Sequence, residues 1–179
     1  MKQALQLLIV EDNPNDAELV LAELRRAGFN PQWTRVDTEP EFLAELKKSP
    51  EIVLSDFAMP QFSGLRAAEL LQTSGLDIPF ILISGTVGED VAVEAMKLGA
   101  TDYLLKDRTA RLGKAVEQAL QQKRLRDERK RTEVELQRQL HELQRWYEAT
   151  LGREDRILEL KREVNELLAA QQLPPRYTA

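Results

Sequence analysis

Several features that define whole classes of protein are missing from this sequence of 179 residues. Cysteine is absent, which excludes disulfides, catalytic thiolates and cysteine-ligated metals. No apolar run approaches the roughly 20 residues of a membrane span, and residues 1–10 lack the cleavage site of a signal peptide. The net charge of −5 disfavours non-specific binding of the whole chain to nucleic acid. We therefore expect a cytoplasmic protein.

Glycine and proline nearly vanish from the last third of the chain, where Glu, Gln, Arg and Leu dominate. After Leu120 the sequence contains Gly152, Pro174 and Pro175 and no other residue of these two types. A composition of this kind is typical of a long helix or coiled coil. We therefore expect a globular domain over residues 1–120 and a helical tail over residues 121–179.

The first part has the pattern of an α/β domain. Its short apolar runs are continuous rather than alternating, which favours strands that are covered on both faces, as in a parallel sheet. Helix start and stop signals lie between them, such as Asn13 and Pro14 before the first helix and Gly28 after it. Five β–α units predict a doubly wound, flavodoxin-like parallel sheet of strand order 2-1-3-4-5, whose fifth helix begins near Thr109. The predicted strands are Leu7–Val10, Ile52–Leu54, Phe80–Ile83 and Tyr103–Leu105, with a weaker one at Gln32–Val36.

Polar side chains follow each of the four strong apolar runs. Glu11 and Asp12 follow the first run, and Asp56 comes shortly after the second. Ser84 follows the third run and Lys106 the fourth. Because the carboxyl ends of parallel strands meet at one edge of the sheet, we expect these five side chains to converge in the crevice at the switch point.

This set of residue types suits phosphoryl transfer to a carboxylate. Three carboxylates at close quarters repel one another, and a hard divalent cation such as Mg²⁺ relieves the repulsion. A carboxylate can also attack phosphorus and form an aspartyl phosphate. Ser84 offers a hydrogen-bond donor and Lys106 a cation for the phosphoryl oxygens.

Four short motifs, in order and each after its own strand, are similar to those of response-regulator receiver domains. Val10–Pro14 resembles their acidic opening, and Ser55–Pro60, followed by Gly64, resembles their phosphoacceptor loop. Ile83–Gly85 and Leu105–Lys106 occupy the two remaining motif positions. The resemblance covers residues 5 to about 120 and is specific because all four motifs occur together.

The resemblance implies a phosphoacceptor and a metal site. Asp56 would accept a phosphoryl group from a histidine kinase or a phosphotransfer protein and would catalyse its own phosphorylation and dephosphorylation. Asp12 and Asp56 would bind Mg²⁺ directly. The backbone carbonyl of Ala58 would be a further ligand, and Glu11 would act through a water on the metal. No separate output enzyme is recognised.

The resemblance also assigns the residues of the response. Ser84 would move to contact the phosphate, Lys106 would pair with it, and Tyr103 matches the aromatic position that swings inward on activation. The sequence departs from the family where Asp107 replaces the usual proline and where Ser84 replaces the commoner threonine. Neither departure removes a chemical requirement.

The tail has the 3.5-residue period of a coiled coil, which predicts a homodimer. The periodic residues are Leu136, Leu140, Leu143, Tyr147 and Thr150, and then Ile157, Leu160, Val164 and Leu167. Gly152 separates the two stretches, so the tail is either one long helix with a stutter or two helices with a break at Gly152.

Two features of the tail favour other functions. Residues 123–131 hold six basic and two acidic residues, as in a transcriptional regulator that binds DNA through this stretch. His141 is the sole histidine and is a second phosphoacceptor if the chain is a phosphorelay component. The simpler interpretations are a solvated helix face and a surface histidine.

Overall fold

The computed structural model describes residues 3–85 and 88–177, apart from the side chains of residues 89, 108 and 109. Strands and helices alternate along the chain. They are β1 (Gln3–Val10), α1 (Pro14–Arg26), β2 (Phe29–Val36), α2 (Glu39–Leu46), β3 (Ile52–Asp56), α3 (Gly64–Ser74), β4 (Phe80–Ser84), α4 (Glu89–Lys97), β5 (Asp102–Leu105) and α5 (Leu112–Ala170). A 3-10 helix occupies Lys106–Arg111, so α5 begins a few residues later than the predicted start near Thr109.

The strands form one five-stranded parallel sheet in the order β2-β1-β3-β4-β5, which confirms the predicted fold class. The four strong apolar runs all lie in strands. The weak run belongs to β2, which begins earlier than predicted, at Phe29. Pro31 is compatible with β2 because this strand lies at the edge of the sheet, where a missing N–H does not interrupt a central ladder.

The hydrophobic core has two layers, one on each face of the sheet. Helices α1 and α5 cover the first face with side chains that include Leu21, Leu24 and Val116. Helices α2, α3 and α4 contribute Phe42, Leu71 and Ala95 to the layer on the other face. Each fully buried leucine or phenylalanine stabilises the fold by about 1.5–3 kcal/mol relative to an exposed one. Burial on both faces explains why the strands are continuously apolar.

Helix α5 contributes to the core only through its first turns. Its buried residues end at Leu120. Beyond that point Arg126 forms a bidentate ion pair with Asp77. Its Nη2 lies 2.8 Å from Oδ1 of Asp77, and its Nε lies 3.2 Å from each carboxylate oxygen. Asp77 lies in the loop before β4, at the end of the sheet opposite to the carboxyl ends of the strands.

The chain divides into two compact units, the first ending at Asp127 and the second beginning at Glu128. Helix α5 passes through Gly152 without interruption, so the tail is one helix there and has no break. Within the part of the chain that the structure describes, no helix is both long and apolar enough to cross a membrane.

The C-terminal end of α5 is capped by backbone hydrogen bonds. Gln172 has a φ of 59°, and its N–H donates to Ala169 while that of Leu173 donates to Leu168, at 3.0 and 2.9 Å, as in a Schellman motif. The chain then folds back, and the Asn165 side chain accepts hydrogen bonds from two backbone N–H groups of that segment. The helix is therefore already closed before Pro174 and Pro175.

Candidate functional site

The carboxyl ends of β1, β3, β4 and β5 lie side by side, as the strand registers require. Val10 pairs with Ser55, Asp56 with Ile83, and Ser84 with Leu105. The polar residues that end or follow these strands therefore share one edge of the sheet. Glu11, Asp56 and Ser84 are buried there, whereas Asp12 is exposed.

Three carboxylates at this edge are close enough to share a cation. Glu11, Asp12 and Asp56 each offer one carboxylate oxygen, and these oxygens lie within 4.8 Å of one another. Oxygen ligands of this kind suit Mg²⁺, which binds them at about 2.0–2.1 Å. Ala58 lies in the exposed part of the β3–α3 loop, and its role as a ligand stays a prediction.

The surroundings of Glu11 raise the pKa of its carboxyl group. Burial, together with the nearby charge of Asp56, raises its pKa to about 7, although an N–H from Asn13 and the charge of Lys106 act in the opposite direction. The backbone N–H of Asn13 donates to Oε1 of Glu11 at 3.1 Å. Burial is the main cause of the raised pKa, and the neighbouring charge of Asp56 adds to it.

Lys106 supplies a cation to this cluster. Its Nζ lies 3.0 Å from Asp56 Oδ1, 3.3 Å from Glu11 Oε2 and 2.6 Å from Asp16 Oδ2. Burial alone lowers the pKa of Lys106, but the hydrogen bonds to Asp16 and Asp56 outweigh it and hold the pKa above its usual value. Lys106 is therefore charged, and it lies beside Asp56, the predicted phosphoacceptor.

Asp16 was not among the site residues predicted from the sequence. It lies in the first turn of α1, four residues after Asp12. Nothing in the local sequence distinguishes Asp16 from an ordinary acidic residue in the first turn of a helix. Its partner, Lys106, is 90 residues away in the sequence.

The loop after β3 is held against the sheet at both ends. The N–H of Phe57 donates to Ile83 at 2.8 Å, and the N–H of Gly64 donates to Phe57 at 3.2 Å. A Cβ at Gly64 would lie 2.3 Å from the carbonyl oxygen of Asp56, so the close approach requires glycine. Gly64 thus allows α3 to begin in direct contact with the backbone of Asp56.

The two predicted response residues lie on neighbouring strands. Ser84 ends β4 and is 1% exposed. Tyr103 lies on β5, is partly buried, and packs against the core layer on the face of α2, α3 and α4. The proposed movements of both side chains stay predictions.

Comparison with known proteins gives a family match and several relatives. A protein-family model described as the response regulator receiver domain matches residues 7–117. The C4-dicarboxylate transport transcriptional regulatory protein DctD of Pseudomonas aeruginosa is 31% identical over 167 residues, which are 93% of this chain and 35% of that protein.

Other relatives match a smaller share of the chain. The sensory transduction protein RegX3 of Mycolicibacterium smegmatis is 35% identical over 106 residues, 59% of this chain and 45% of that protein. The crystal structure of FixJ-N is 27% identical with a TM-score of 0.58, and the match covers 68% of this chain and 95% of that one. The chain thus spans less than half the length of both of these curated relatives.

Proposed function

Because the chain belongs to the response regulator receiver domain family, we propose that it is a signalling protein controlled by phosphorylation of Asp56. Its donor would be a histidine kinase or a phosphotransfer protein. The observation that carries the proposal is the position of Asp56, whose carboxylate lies within 4.8 Å of two further carboxylates and 3.0 Å from the ammonium of Lys106. A nucleophile, an oxygen-ligand site and a cation therefore meet at one edge of the sheet.

The chemistry is the transfer of a phosphoryl group to a carboxylate. An oxygen of Asp56 attacks phosphorus, and the bond from phosphorus to the donor breaks, with its electron pair leaving on the donor group. The product is an acyl phosphate on Asp56. Lys106 would pair with the phosphoryl oxygens, and the hydroxyl of Ser84 would donate a hydrogen bond to one of them.

The acidic residues would hold the cation that this reaction needs. Asp12, Asp56 and the carbonyl of Ala58 are the proposed Mg²⁺ ligands, and Glu11 adds negative charge behind them. When bound, Mg²⁺ would offset the repulsion between the carboxylates and the incoming phosphoryl oxygens. The oxygen donors suit this ion, and a bound cation would offset the charge of Asp56 that contributes to the raised pKa of Glu11.

A small phosphodonor tests the proposal without knowledge of the natural kinase. Incubation of the full chain with acetyl phosphate and Mg²⁺ should add one phosphoryl group per chain, measured as intact mass, and chelation of the metal should prevent it. Asp56→Asn should abolish the addition. Asp77→Asn is the matched control, since it removes a carboxylate at the opposite end of the sheet and should leave the addition unchanged.

The proposed output is made by the tail. We propose that residues 1–120 are the receiver domain and that residues 121–179 join two copies of the chain as a coiled coil. Leu140, Leu143 and Tyr147 are 51%, 67% and 65% exposed on α5 in the single chain. Isolated helices gain little stability by themselves, and a second copy would bury this apolar seam by knobs-into-holes packing.

A second candidate function is transcriptional regulation through DNA binding. The printed name of DctD describes a transcriptional regulatory protein, and residues 123–131 of this chain are basic. Against it, Arg126 is already paired with Asp77, and the chain spans only 35% of DctD. Fluorescence anisotropy with duplex DNA at moderate salt separates the two functions, because a receiver that signals through protein contacts should not bind it.

A further inference from the structure

The shortest contact of Lys106 is with a residue outside the proposed reacting set. The ammonium nitrogen lies 2.6 Å from Asp16 Oδ2, closer than to Asp56 or Glu11. The ammonium donates hydrogen bonds to Asp16 and Glu11 and forms an ion pair with Asp56. The position of Nζ beside Asp56 is therefore set by three attractions, of which Asp16 supplies the closest.

Asp16 is itself anchored by the cap of α1. The side chain of Asn13 accepts a hydrogen bond from the N–H of Asn15 at 3.0 Å, as an N-cap residue does. Its amide group donates to Asp16 Oδ1 at 3.1 Å. The other oxygen, Oδ2, is the one that receives Lys106. The carboxylate also lies in the first turn of α1, where the helix dipole stabilises negative charge.

Packing alone does not fix the position of Lys106. Its side chain is 31% exposed and borders a small cavity of about 80 Å³ lined by apolar side chains such as Val20 and Leu54. A lysine side chain has many rotamers, so contacts of its charged end are needed to hold it in one of them. The three ion pairs therefore fix the position of Nζ, and the one with Asp16 is the shortest of them.

We propose that Asp16 is a positioning residue for phosphoryl transfer, which holds the Lys106 ammonium beside Asp56 before the phosphoryl group arrives. The inference rests on the proposed function. A cation that is already in place does not have to be reoriented during the reaction, and such preorganisation lowers the barrier. Asp16 lies outside the set of proposed metal ligands, so its loss should slow phosphorylation while Mg²⁺ binding is retained.

The test compares rates of phosphorylation by acetyl phosphate at saturating Mg²⁺. Asp16→Asn should lower the rate about fivefold, the upper end expected for a partly exposed ion pair. Asp16→Glu keeps the charge and should recover most of the loss. Glu23→Gln is the matched control, because it breaks the ion pair with Arg26 on the same helix, about two turns after Asp16. It should behave like wild type.

The same substitution in a Lys106→Met variant shows whether Asp16 acts through Lys106. In a Lys106→Met protein, Asp16→Asn should cause no further loss, whereas an equal loss in both backgrounds overturns the inference. A rate of Asp16→Asn equal to that of wild type also overturns it. Absence of phosphorylation in the wild type is a different result, since it overturns the proposed function and the inference with it.

Discussion

The backbone carbonyl of Asp56 approaches Gly64 so closely that no side chain fits between them: a Cβ at Gly64 would lie 2.3 Å from that oxygen and 2.5 Å from Cδ1 of Leu82. Gly64→Ala should therefore displace the start of α3 or the β3–α3 loop. We expect a loss of about 2 kcal/mol in the free energy of unfolding, as for other overpacked sites. We also expect slower phosphorylation of Asp56. Urea unfolding and the acetyl phosphate assay measure the two effects.

The matched control is the same substitution where space is free. Gly152 lies inside α5, and a Cβ there would meet no atom within 4 Å. Gly152→Ala should stabilise the helix by about 0.5–1 kcal/mol, because alanine loses less backbone entropy than glycine. If Gly64→Ala were as harmless as Gly152→Ala, the close approach at Asp56 would have no structural importance.

The raised pKa of Glu11 predicts a pH-dependent affinity for Mg²⁺. Below its pKa of about 7 the carboxyl group holds a proton, and Mg²⁺ must expel it to gain the negative charge. The apparent affinity should therefore increase as the pH rises towards 7 and level off above it. Isothermal titration calorimetry at pH values on both sides of 7 measures this dependence, together with the release of the proton.

Glu11→Gln is the control for that dependence. The amide is similar in size and cannot ionise, so the variant should bind Mg²⁺ more weakly above pH 7 and with a flatter pH profile. An unchanged profile in Glu11→Gln would assign the titration to another group.

The exposed seam of the tail predicts a dimer. Leu143 is 67% exposed on α5, and Leu143→Lys should place a charge in the coiled-coil core and give a monomer at micromolar concentration by sedimentation. Ala149→Lys adds the same charge off the seam and should leave the dimer intact. A monomeric wild type would refute the proposed dimer, and so would a Leu143→Lys protein that stays dimeric.

The fold and most of the site could be predicted from the sequence because each rests on local signals. The sheet order follows from apolar runs separated by helix signals, and the cluster of Glu11, Asp12 and Asp56 follows from their places after strands. Parallel strands bring such places together whatever the details of packing. The same reasoning predicts Lys106 near Asp56, and in the structure its Nζ lies 3.0 Å from that residue.

The features that could not be predicted depend on distant parts of the chain. Asp16 reads as an ordinary acidic residue in the first turn of a helix until Lys106, 90 residues later, is placed beside it. The early start of β2 was missed because an edge strand with Pro31 and few apolar residues carries little periodic signal. The late start of α5 reflects the 3-10 helix after Lys106, which no sequence pattern marked.

The measurement that tests the central claim most directly is the location of the phosphoryl group. The full chain is treated with acetyl phosphate and Mg²⁺, the acyl phosphate is trapped by borohydride reduction, and the modified residue is identified by tandem mass spectrometry. The account predicts one modified residue per chain, Asp56, with no modification when Mg²⁺ is chelated or when Asp56 is replaced by asparagine. Labelling of Asp56→Asn to the same extent, or a phosphoryl group on His141 of the wild type, would contradict it.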